Sequence, residues 1–473
     1  MYVYCAGFIV AKLIIILIMV DYGGKLIAVV DEGTKTVRFV IFETIPHLEE
    51  LCSHEIEIKQ IRPNDRWVEQ DPLEILNGIH YCATQAVQKL KDIKKFAHTK
   101  NDIITIGITN QRETIVVWDK LTGKPLYNAI VWNDARTEET VDQVLKNIQQ
   151  SSNDVVDTEY FKSISGLPIS PYFSALKIKW LKDNLPEIDA AFAAKTCLVG
   201  TIDSWIIWNL TGGVNGGQHV TDVTNASRTL LMNIHTSEWD DTLLKTFSIN
   251  SDALPSIRSS SEVIGIVCDG SILDGIQISG ILGNQQSSLI GQKCFERGQT
   301  KVSYRNACFL MTNTGEQKIL SQRGLVTTIA YKMGINEPTI YALEGSVGVG
   351  GTALRWLGNK LGLLKPNENS ELLASSVFST GDVYFVPAIN GLYAPSWKSD
   401  AKGIICGLTA FTTRNHIIRA ALESICFQTH EILEAIETGL ESKLNELYVD
   451  GPVSQNNLLM QLQADLSGLT VCK

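Results

Sequence analysis

Apolar and polar positions along this chain alternate between two periods. Leu26 to Asp31 is a continuous apolar run that ends in a carboxylate, and Val37 to Phe42 alternates as a returning strand. Between them Glu32-Gly33-Thr34-Lys35-Thr36 is turn chemistry, so the pattern predicts a β-hairpin. Asp71-Pro72 has the form of a helix N-cap followed by proline at the first helical position, and Leu73 to Leu90 carries apolar residues at helical spacing. Strands are predicted at Ile103 to Ile108 and Ile115 to Trp118, and a helix around Ala175 to Asp183. Near Ile276 to Gly283 a strand leads through Asn284-Gln285-Gln286 into a helix, and the hairpin theme returns with Val302 to Asn306 and Cys308 to Met311. Two halves with similar strand-turn-strand openings imply a duplicated α/β architecture. With no low-complexity linker between them, the hinge belongs near Gly291 to Gly298.

Size and charge narrow the classes. At about 150 residues per domain, 473 residues allow roughly three units, or two large ones with a cleft. Lys+Arg 41 against Asp+Glu 51 gives a net charge of −10, which argues against nucleic acid as the main partner. The ten cysteines are scattered, without a C-x-x-C pair or a metal-cage spacing, and read as reduced thiols of a cytoplasmic protein. The run from Tyr4 to Val20 is nearly all apolar but is interrupted by Lys12. Its favoured reading is an apolar extension ahead of a soluble domain; a membrane or mitochondrial-surface tether is the other.

Two later segments have the form strand, glycine-containing loop, helix: Tyr341 to Thr352 before Ala353 to Leu361, and Leu447 to Asn456 before Leu458 to Leu466. Such junctions aim backbone N–H groups at a phosphate, although glycines there more often serve close helix-sheet packing. The chain has no G-x-x-x-x-G-K-[ST] loop, and Gly348-x-Gly350 falls short of a dinucleotide fingerprint. The turn bearing Asp31, Gly33, Thr34 and Thr36 suits phosphate handling with a hydrated Mg²⁺ near the carboxylate, and suits an ordinary hairpin equally well. Asn110-Gln111-Arg112-Glu113-Thr114 places amide, guanidinium and carboxylate groups between two strands. Arg next to Glu can donate to and accept from adjacent hydroxyls of a small polyol; the plain alternative is a structural ion pair.

Gly107-Ile-Thr-Asn-Gln-Arg-Glu-Thr114, Pro171-Tyr-Phe-Ser174, His219-Val-Thr-Asp-Val-Thr-Asn-Ala-Ser-Arg228, Tyr341-Ala-Leu-Glu-Gly345 and Met460-Gln-Leu-Gln-Ala-Asp465 occur in an order that chance does not produce. From about Leu26 onward the sequence resembles the glycerol kinases of the FGGY carbohydrate kinase family. The resemblance implies a two-domain actin/hexokinase-like ATPase fold, built from duplicated ribonuclease H-like domains around a central cleft. It divides the chain into an extension (1–22), a glycerol-side domain (23–293) and a nucleotide-side domain (294–473). It implies transfer of the ATP γ-phosphoryl to a terminal hydroxyl of glycerol, with Mg²⁺ held through water near Asp31, and a homo-oligomeric state common in the family. By the same resemblance Arg112, Glu113, Tyr172, Asn284 and Gln285 fall at glycerol-binding positions, with Trp132 and Phe309 as apolar walls. Thr34, Lys35, Thr36, Arg38, Asn306, Gly351, Arg355, Pro452 and Asn456 fall at the ATP side.

The departures from the family pattern bear on activity. In Leu282-Gly-Asn-Gln-Gln286 the third place is an Asp in the family, and that Asp accepts the proton of the attacking hydroxyl. Asn284 cannot act as a base, and base catalysis contributes roughly 10²–10⁴-fold. Tyr304-Arg-Asn-Ala-Cys-Phe309 has Arg305, Asn306 and Ala307 where the family reads Gly-Thr-Gly beside the phosphates. Pro452 replaces a glycine at the nucleotide, and Lys35 replaces a hydroxyl residue; Lys35 and Arg305 would add compensating positive charge. The chain stops at Lys473 where the family continues into a closing helix, which predicts uncovered apolar surface on the second domain. The expectation is a family member with impaired or absent catalysis, a pseudoenzyme in the limit. An active kinase that tolerates Asn284, and a non-catalytic polyol-binding or scaffold protein, are the other readings.

Overall fold

The computed structural model describes residues 26–44, 48–93, 99–151, 155–389, 391–398 and 400–473. The apolar N-terminal run, and with it the tether reading, lies outside the described residues. Among those residues no helix is long and apolar enough to cross a membrane. The chain forms two compact units, one of the described residues up to Gly291 with Thr328–Ile340, the other of Gln292–Thr327 and Tyr341–Lys473.

The first unit is built on a six-stranded sheet. Its strands are β1 (Leu26–Glu32), β2 (Thr36–Glu43), β3 (Glu49–Glu57), β4 (Ile103–Asn110), β5 (Ser261–Ile266) and β6 (Gln277–Gly283), in the order β5-β6-β4-β1-β2-β3. The expected hairpin is present: β1 and β2 pair antiparallel with Asp31 opposite Arg38, and the Gly33 N–H donates to Thr36 O at 2.8 Å to close the turn. One residue departs from the expectation. Glu32, read as part of the turn, instead ends β1 and is fully buried, because Gln111 offers its carboxyl two hydrogen-bond donors.

Helix α1 (Pro72–Asp92) starts as the sequence implies. The Asp71 carboxylate accepts from Leu73 N–H at 2.8 Å, and Pro72 takes the first position, where its missing N–H costs nothing. Ile75, Ile79, Cys82, Ala83, Ala86 and Leu90 form its buried stripe, packed with Phe39, Ile41 and Ile58. Each large aliphatic side chain so buried contributes about 1.5–3 kcal/mol. Helix α2 (Ser174–Asn184) begins two residues after the candidate Tyr172, and α3 (Asn284–Gly291) opens on the candidates Asn284 and Gln285.

What matters for a site is the parallel register. Glu32 of β1 lies opposite Asn110 of β4, and Asn110 opposite Gly283 of β6. The segments leaving these strands, Gly33-Thr34, Gln111-Arg112-Glu113 and Asn284-Gln285-Gln286, therefore start on one rim at the strands' carboxyl ends, where open α/β sheets bind ligands.

The second unit repeats the plan. Its sheet contains β7 (Thr300–Tyr304), β8 (Cys308–Gly315), β9 (Val326–Lys332), β10 (Thr339–Val347), β11 (Glu446–Asp450) and β12 (Thr470–Cys472), in the order β9-β10-β8-β7-β11-β12, although Thr328–Lys332 of β9 and the first two residues of β10 group with the first unit. The run β10-β8-β7-β11-β12 matches β3-β2-β1-β4-β6, with two antiparallel pairings followed by two parallel ones. This is the duplication that the two hairpins implied. Val302, Tyr304, Leu310, Leu343 and Val449 join Leu422, Ile425, Ile432 and Ile436 of a long helix in one core. With α4 (Gly351–Asn359), that helix is α5 (Arg414–Leu440), and α6 (Asn457–Ser467) follows. The nine described cysteines are all free thiols.

Candidate active site

The rim of the first unit is lined by buried polar groups. Arg112 follows β4 and is 3% exposed; its Nη1 donates to Gln286 Oε1 at 3.2 Å, and Gln286 Nε2 in turn donates to Ile329 O at 3.1 Å. A Cβ on Gly283 would stand 2.7 Å from Arg112 Cδ, so glycine at the end of β6 is what lets the arginine cross that strand. Glu113 has φ 59, a left-handed conformation uncommon outside glycine. Its Oε1 accepts from Arg228 Nε at 2.6 Å, and its carbonyl accepts from Ser174 Oγ at 3.1 Å. Asn284 opens α3 directly after Gly283, which pairs with Asn110 at the end of β4; it is partly exposed and makes no side-chain hydrogen bond among the described residues. Gln285 follows it and is buried.

Aromatic residues and the first hairpin adjoin that rim. Tyr172 meets Trp132 edge to face with ring centroids 5.6 Å apart. The Trp132 indole N–H donates to Thr34 Oγ1 at 3.0 Å, and its backbone N–H donates to Thr114 Oγ1 at 3.0 Å. The loop carrying Trp132 is anchored by a buried ion cluster, in which Arg136 Nη2 pairs with both Glu69 and Asp134 at 2.8 Å. Gln111 Nε2 donates to Glu32 Oε1 at 2.7 Å and to Gln70 Oε1 at 2.8 Å, and Gln70 Nε2 reaches Thr34 O at 3.1 Å. One hydrogen-bonded chain thus runs from the end of β1 to the hairpin turn. Burial raises the Glu32 carboxyl to about 8, so it is largely protonated at neutral pH.

Beneath the rim, the His219–Arg228 segment supplies a polar floor. Asp222 accepts from Asn225 N–H at 2.9 Å, Thr224 Oγ1 at 2.8 Å and Ser260 Oγ at 2.8 Å, and burial, with Asp203 nearby, raises its carboxyl to about 7. Thr224 Oγ1 accepts the N–H of Gly283, the residue before Asn284, at 2.9 Å. Asn110 and Asn225 exchange side-chain hydrogen bonds at 3.0 and 3.1 Å.

In the second unit three turns converge. The β7–β8 turn, Arg305-Asn306-Ala307, accepts hydrogen bonds from the start of α4: Gly351 N–H to Arg305 O at 2.8 Å, and Gly350 and Thr352 N–H to Asn306 O at 2.8 and 3.1 Å. A Cβ on Gly451, at φ 95, would stand 2.3 Å from Tyr304 O, which brings the third turn against the same hairpin. Arg305 and Asn306 are exposed, and neither has positive φ, so the local backbone does not require glycine at either place. Pro452 begins a short 3₁₀ turn, Pro452–Gln455, where its absent N–H has no intrahelical role.

Of the remaining candidates, Arg355 Nη2 donates to Thr352 Oγ1 at 3.1 Å and Asn456 caps α6 through Leu459 N–H at 2.9 Å. Phe309 lies on β8 opposite Ser303 and Ser346 and is buried. Lys35 is exposed at the first hairpin tip with Thr36 beside it, Asp31 is partly exposed, and Arg38 Nη2 donates to Glu50 Oε1 at 2.6 Å and Ser53 Oγ at 2.9 Å.

The structure thus links Arg112, Glu113, Tyr172, Trp132 and Thr34 in one unit, and groups Asn306, Gly351, Arg355 and Pro452 in the other. Sequence reasoning assigned no role to Glu32, Gln111, Lys177 or Arg228. Gln111 and Arg228 stood inside segments already marked as unusual, and Glu32 differs from its strand only in being polar at its end.

Duplicated hairpin-led sheets, one ending in a rim of paired polar side chains and the other in a cluster of glycine-containing turns, define the two-domain actin/hexokinase-like kinase class. Models of the FGGY family of carbohydrate kinases match residues 26–291 with the family's N-terminal domain and residues 302–473 with its C-terminal domain. The chain belongs to the FGGY family of carbohydrate kinases. It is 45% identical to a glycerol kinase of Arabidopsis thaliana over 94% of this chain and 84% of that protein. A glycerol kinase of Clavibacter michiganensis subsp. michiganensis is 46% identical, over 95% of this chain and 86% of that protein. Among solved structures, Plasmodium falciparum glycerol kinase with ADP superimposes with a TM-score of 0.84 at 38% identity, covering 95% of this chain and 86% of that one.

Proposed function

We infer that this chain binds glycerol on the Arg112–Glu113–Tyr172 rim and that its transfer of the ATP γ-phosphoryl group to a terminal hydroxyl is impaired at Asn284. The observation that carries this is the contrast on one rim: Arg112 and Glu113 are buried and paired, while Asn284 presents a neutral amide. Its relatives named glycerol kinase, similar across both halves, support the polyol as substrate. The 23–293 part would hold the polyol and the 294–473 part most of the nucleotide.

On this reading the Arg112 guanidinium donates to polyol oxygens, and the Glu113 carboxylate accepts from adjacent hydroxyls. Gln285 and the Tyr172 ring complete the site, with Trp132 as an apolar wall over the carbon chain; Phe309, on β8 of the second unit, is an apolar candidate carried over from the resemblance alone. The nucleotide positions implied by the resemblance are Thr34, Lys35, Thr36 and Arg38 in the first unit and, in the second, Arg305, Arg355, Asn456 and the Asn306–Gly351–Pro452 cluster, with Lys35 and Arg305 adding positive charge each in its own unit. Among the described residues no group of three or more His, Cys, Asp or Glu could hold a metal ion. A hydrated Mg²⁺ carried by a nucleotide needs only one or two carboxylates, and Asp31 fits that demand. Such an ion neutralises charge on the transferring group. Asn284 hydrogen-bonds a hydroxyl but takes no proton from it, which removes a contribution of roughly 10²–10⁴-fold.

The test is glycerol-3-phosphate formation by the purified protein and by Asn284→Asp, with ATP-Mg²⁺ and saturating glycerol. The expected result is low turnover restored by the carboxylate. An unsubstituted protein working at roughly 1–100 s⁻¹ would establish an ordinary kinase that tolerates Asn284. No turnover in either, with glycerol still bound, would favour a polyol-binding or scaffold role.

A further inference from the structure

The His219–Arg228 segment ends in a side chain that the chemistry above leaves without a role. Arg228 is 2% exposed, and its guanidinium reaches two parts of the rim at once. Nε donates to Glu113 Oε1 at 2.6 Å, in a pair buried on both sides. The guanidinium carbon lies 5.9 Å from the centroid of the Tyr172 ring and 5.4 Å from that of Phe173, within cation–π range of both. Glu113 stands at φ 59, so its carboxylate leaves a backbone conformation that local propensity does not favour and tertiary contacts must hold. Lys177, also buried, acts on the main chain instead: its Nζ donates to Pro171 O at 3.0 Å and to Tyr172 O. The backbone of the aromatic segment is thus held by Lys177, and the side chains that face the polyol are joined through Arg228.

We propose that Arg228 is a positioning residue of the polyol site, fixing the Glu113 carboxylate and the Tyr172 ring relative to each other through one guanidinium. This rests on the polyol-site reading above. The planar fork is essential to it. Arginine can direct one N–H edge at a carboxylate while its flat face lies against rings, whereas a lysine ammonium is a point charge on a flexible stem. Charge alone at this place therefore leaves the acceptor and the aromatic wall unlinked, and glycerol loses the preformed spacing between them.

The experiment is glycerol titration, by calorimetry and thermal shift, of the full chain and of Arg228→Lys, Arg228→Met, Glu113→Gln and the Glu113→Gln/Arg228→Met double variant. Glycerol affinity is expected to fall roughly 10- to 100-fold in both Arg228 variants, the scale of a misplaced binding group. The double variant is expected to bind more weakly than Glu113→Gln alone, because Arg228 still holds the Tyr172 ring when Glu113 is neutral, but by less than the sum of the two single losses, because the two residues share one contact. A lowered Tm with unchanged glycerol affinity makes Arg228 merely structural and overturns the proposal. So does full affinity in Arg228→Lys, which shows that charge suffices, or failure of both single Arg228 variants to fold. No glycerol binding by the unsubstituted protein, or full binding by Glu113→Gln, overturns the polyol-site reading and this proposal with it, whereas weakened binding in Glu113→Gln with full binding in both Arg228 variants overturns this proposal alone.

Discussion

Glu32 and Gln111 face each other across the ends of β1 and β4, 79 residues apart in sequence, with the Gln111 amide donating to Glu32 Oε1 at 2.7 Å and its backbone N–H to Oε2 at 3.2 Å. Burial, the largest effect, raises the carboxyl to about 8; the Gln111 hydrogen bonds oppose the shift, while Asp31 and Asp203 add to it. In the unfolded chain the group ionises near its ordinary value of 4.5. The folded state therefore holds more protons between these limits, and stability falls as pH rises from about 4.5 to about 8, then levels. Glu32→Gln keeps the shape and removes the titration. Its Tm relative to the unsubstituted protein should rise with pH across this window, to a gain on the order of 5 °C at pH 8–9. Equal differences at pH 5 and pH 9 would sink the idea.

Gly283 is the point at which Arg112 crosses β6. Adding a methyl group there brings Cβ within 2.7 Å of Arg112 Cδ and 2.9 Å of Gln286 Oε1, so the arginine must move. Gly283→Ala should weaken glycerol binding roughly 10-fold or more while the protein still folds cooperatively. A calorimetric titration decides it; unchanged affinity would mean that Arg112 does not set the polyol site.

The β7–β8 turn offers a separate test of the nucleotide side. Arg305 and Asn306 are exposed, and their carbonyls already cap the start of α4, so replacing both with Gly and Thr should change Tm little, within the effect of ordinary surface substitutions, about 0.5 kcal/mol. If side-chain bulk is what obstructs the phosphates, ADP affinity should rise severalfold in the same variant. A fall in affinity would instead show that the Arg305 charge helps to hold the nucleotide.

Thiol chemistry should divide by burial. Cys268 and Cys406 are exposed, whereas Cys294, Cys308 and Cys426 are buried; desolvation raises the thiols of Cys294 and Cys308 to about 12 and holds that of Cys426 well above its ordinary value. Brief alkylation of the native protein followed by peptide mass spectrometry should label Cys268 and Cys406 first, with the buried set reacting only after unfolding. Early labelling at Cys308 would contradict the packing described for the second unit.

By itself the sequence determined the parts whose causes are local. The hairpin over Leu26–Glu43, the Asp71-Pro72 start of α1 and the strand-to-helix step at Asn284 each follow from periodicity, a cap or a turn within a few residues. Its motif order also identified the family. The pairings that shape the rim have distant causes. Glu113 meets Arg228 across 115 residues and Arg112 meets Gln286 across 174, and both pairings depend on strand register and on where buried loops return. Glu32 shows the limit most simply. A polar residue at the end of an apolar run reads as a turn until the partner strand places Gln111 beside it, because only tertiary hydrogen bonds make burial of that carboxyl tolerable.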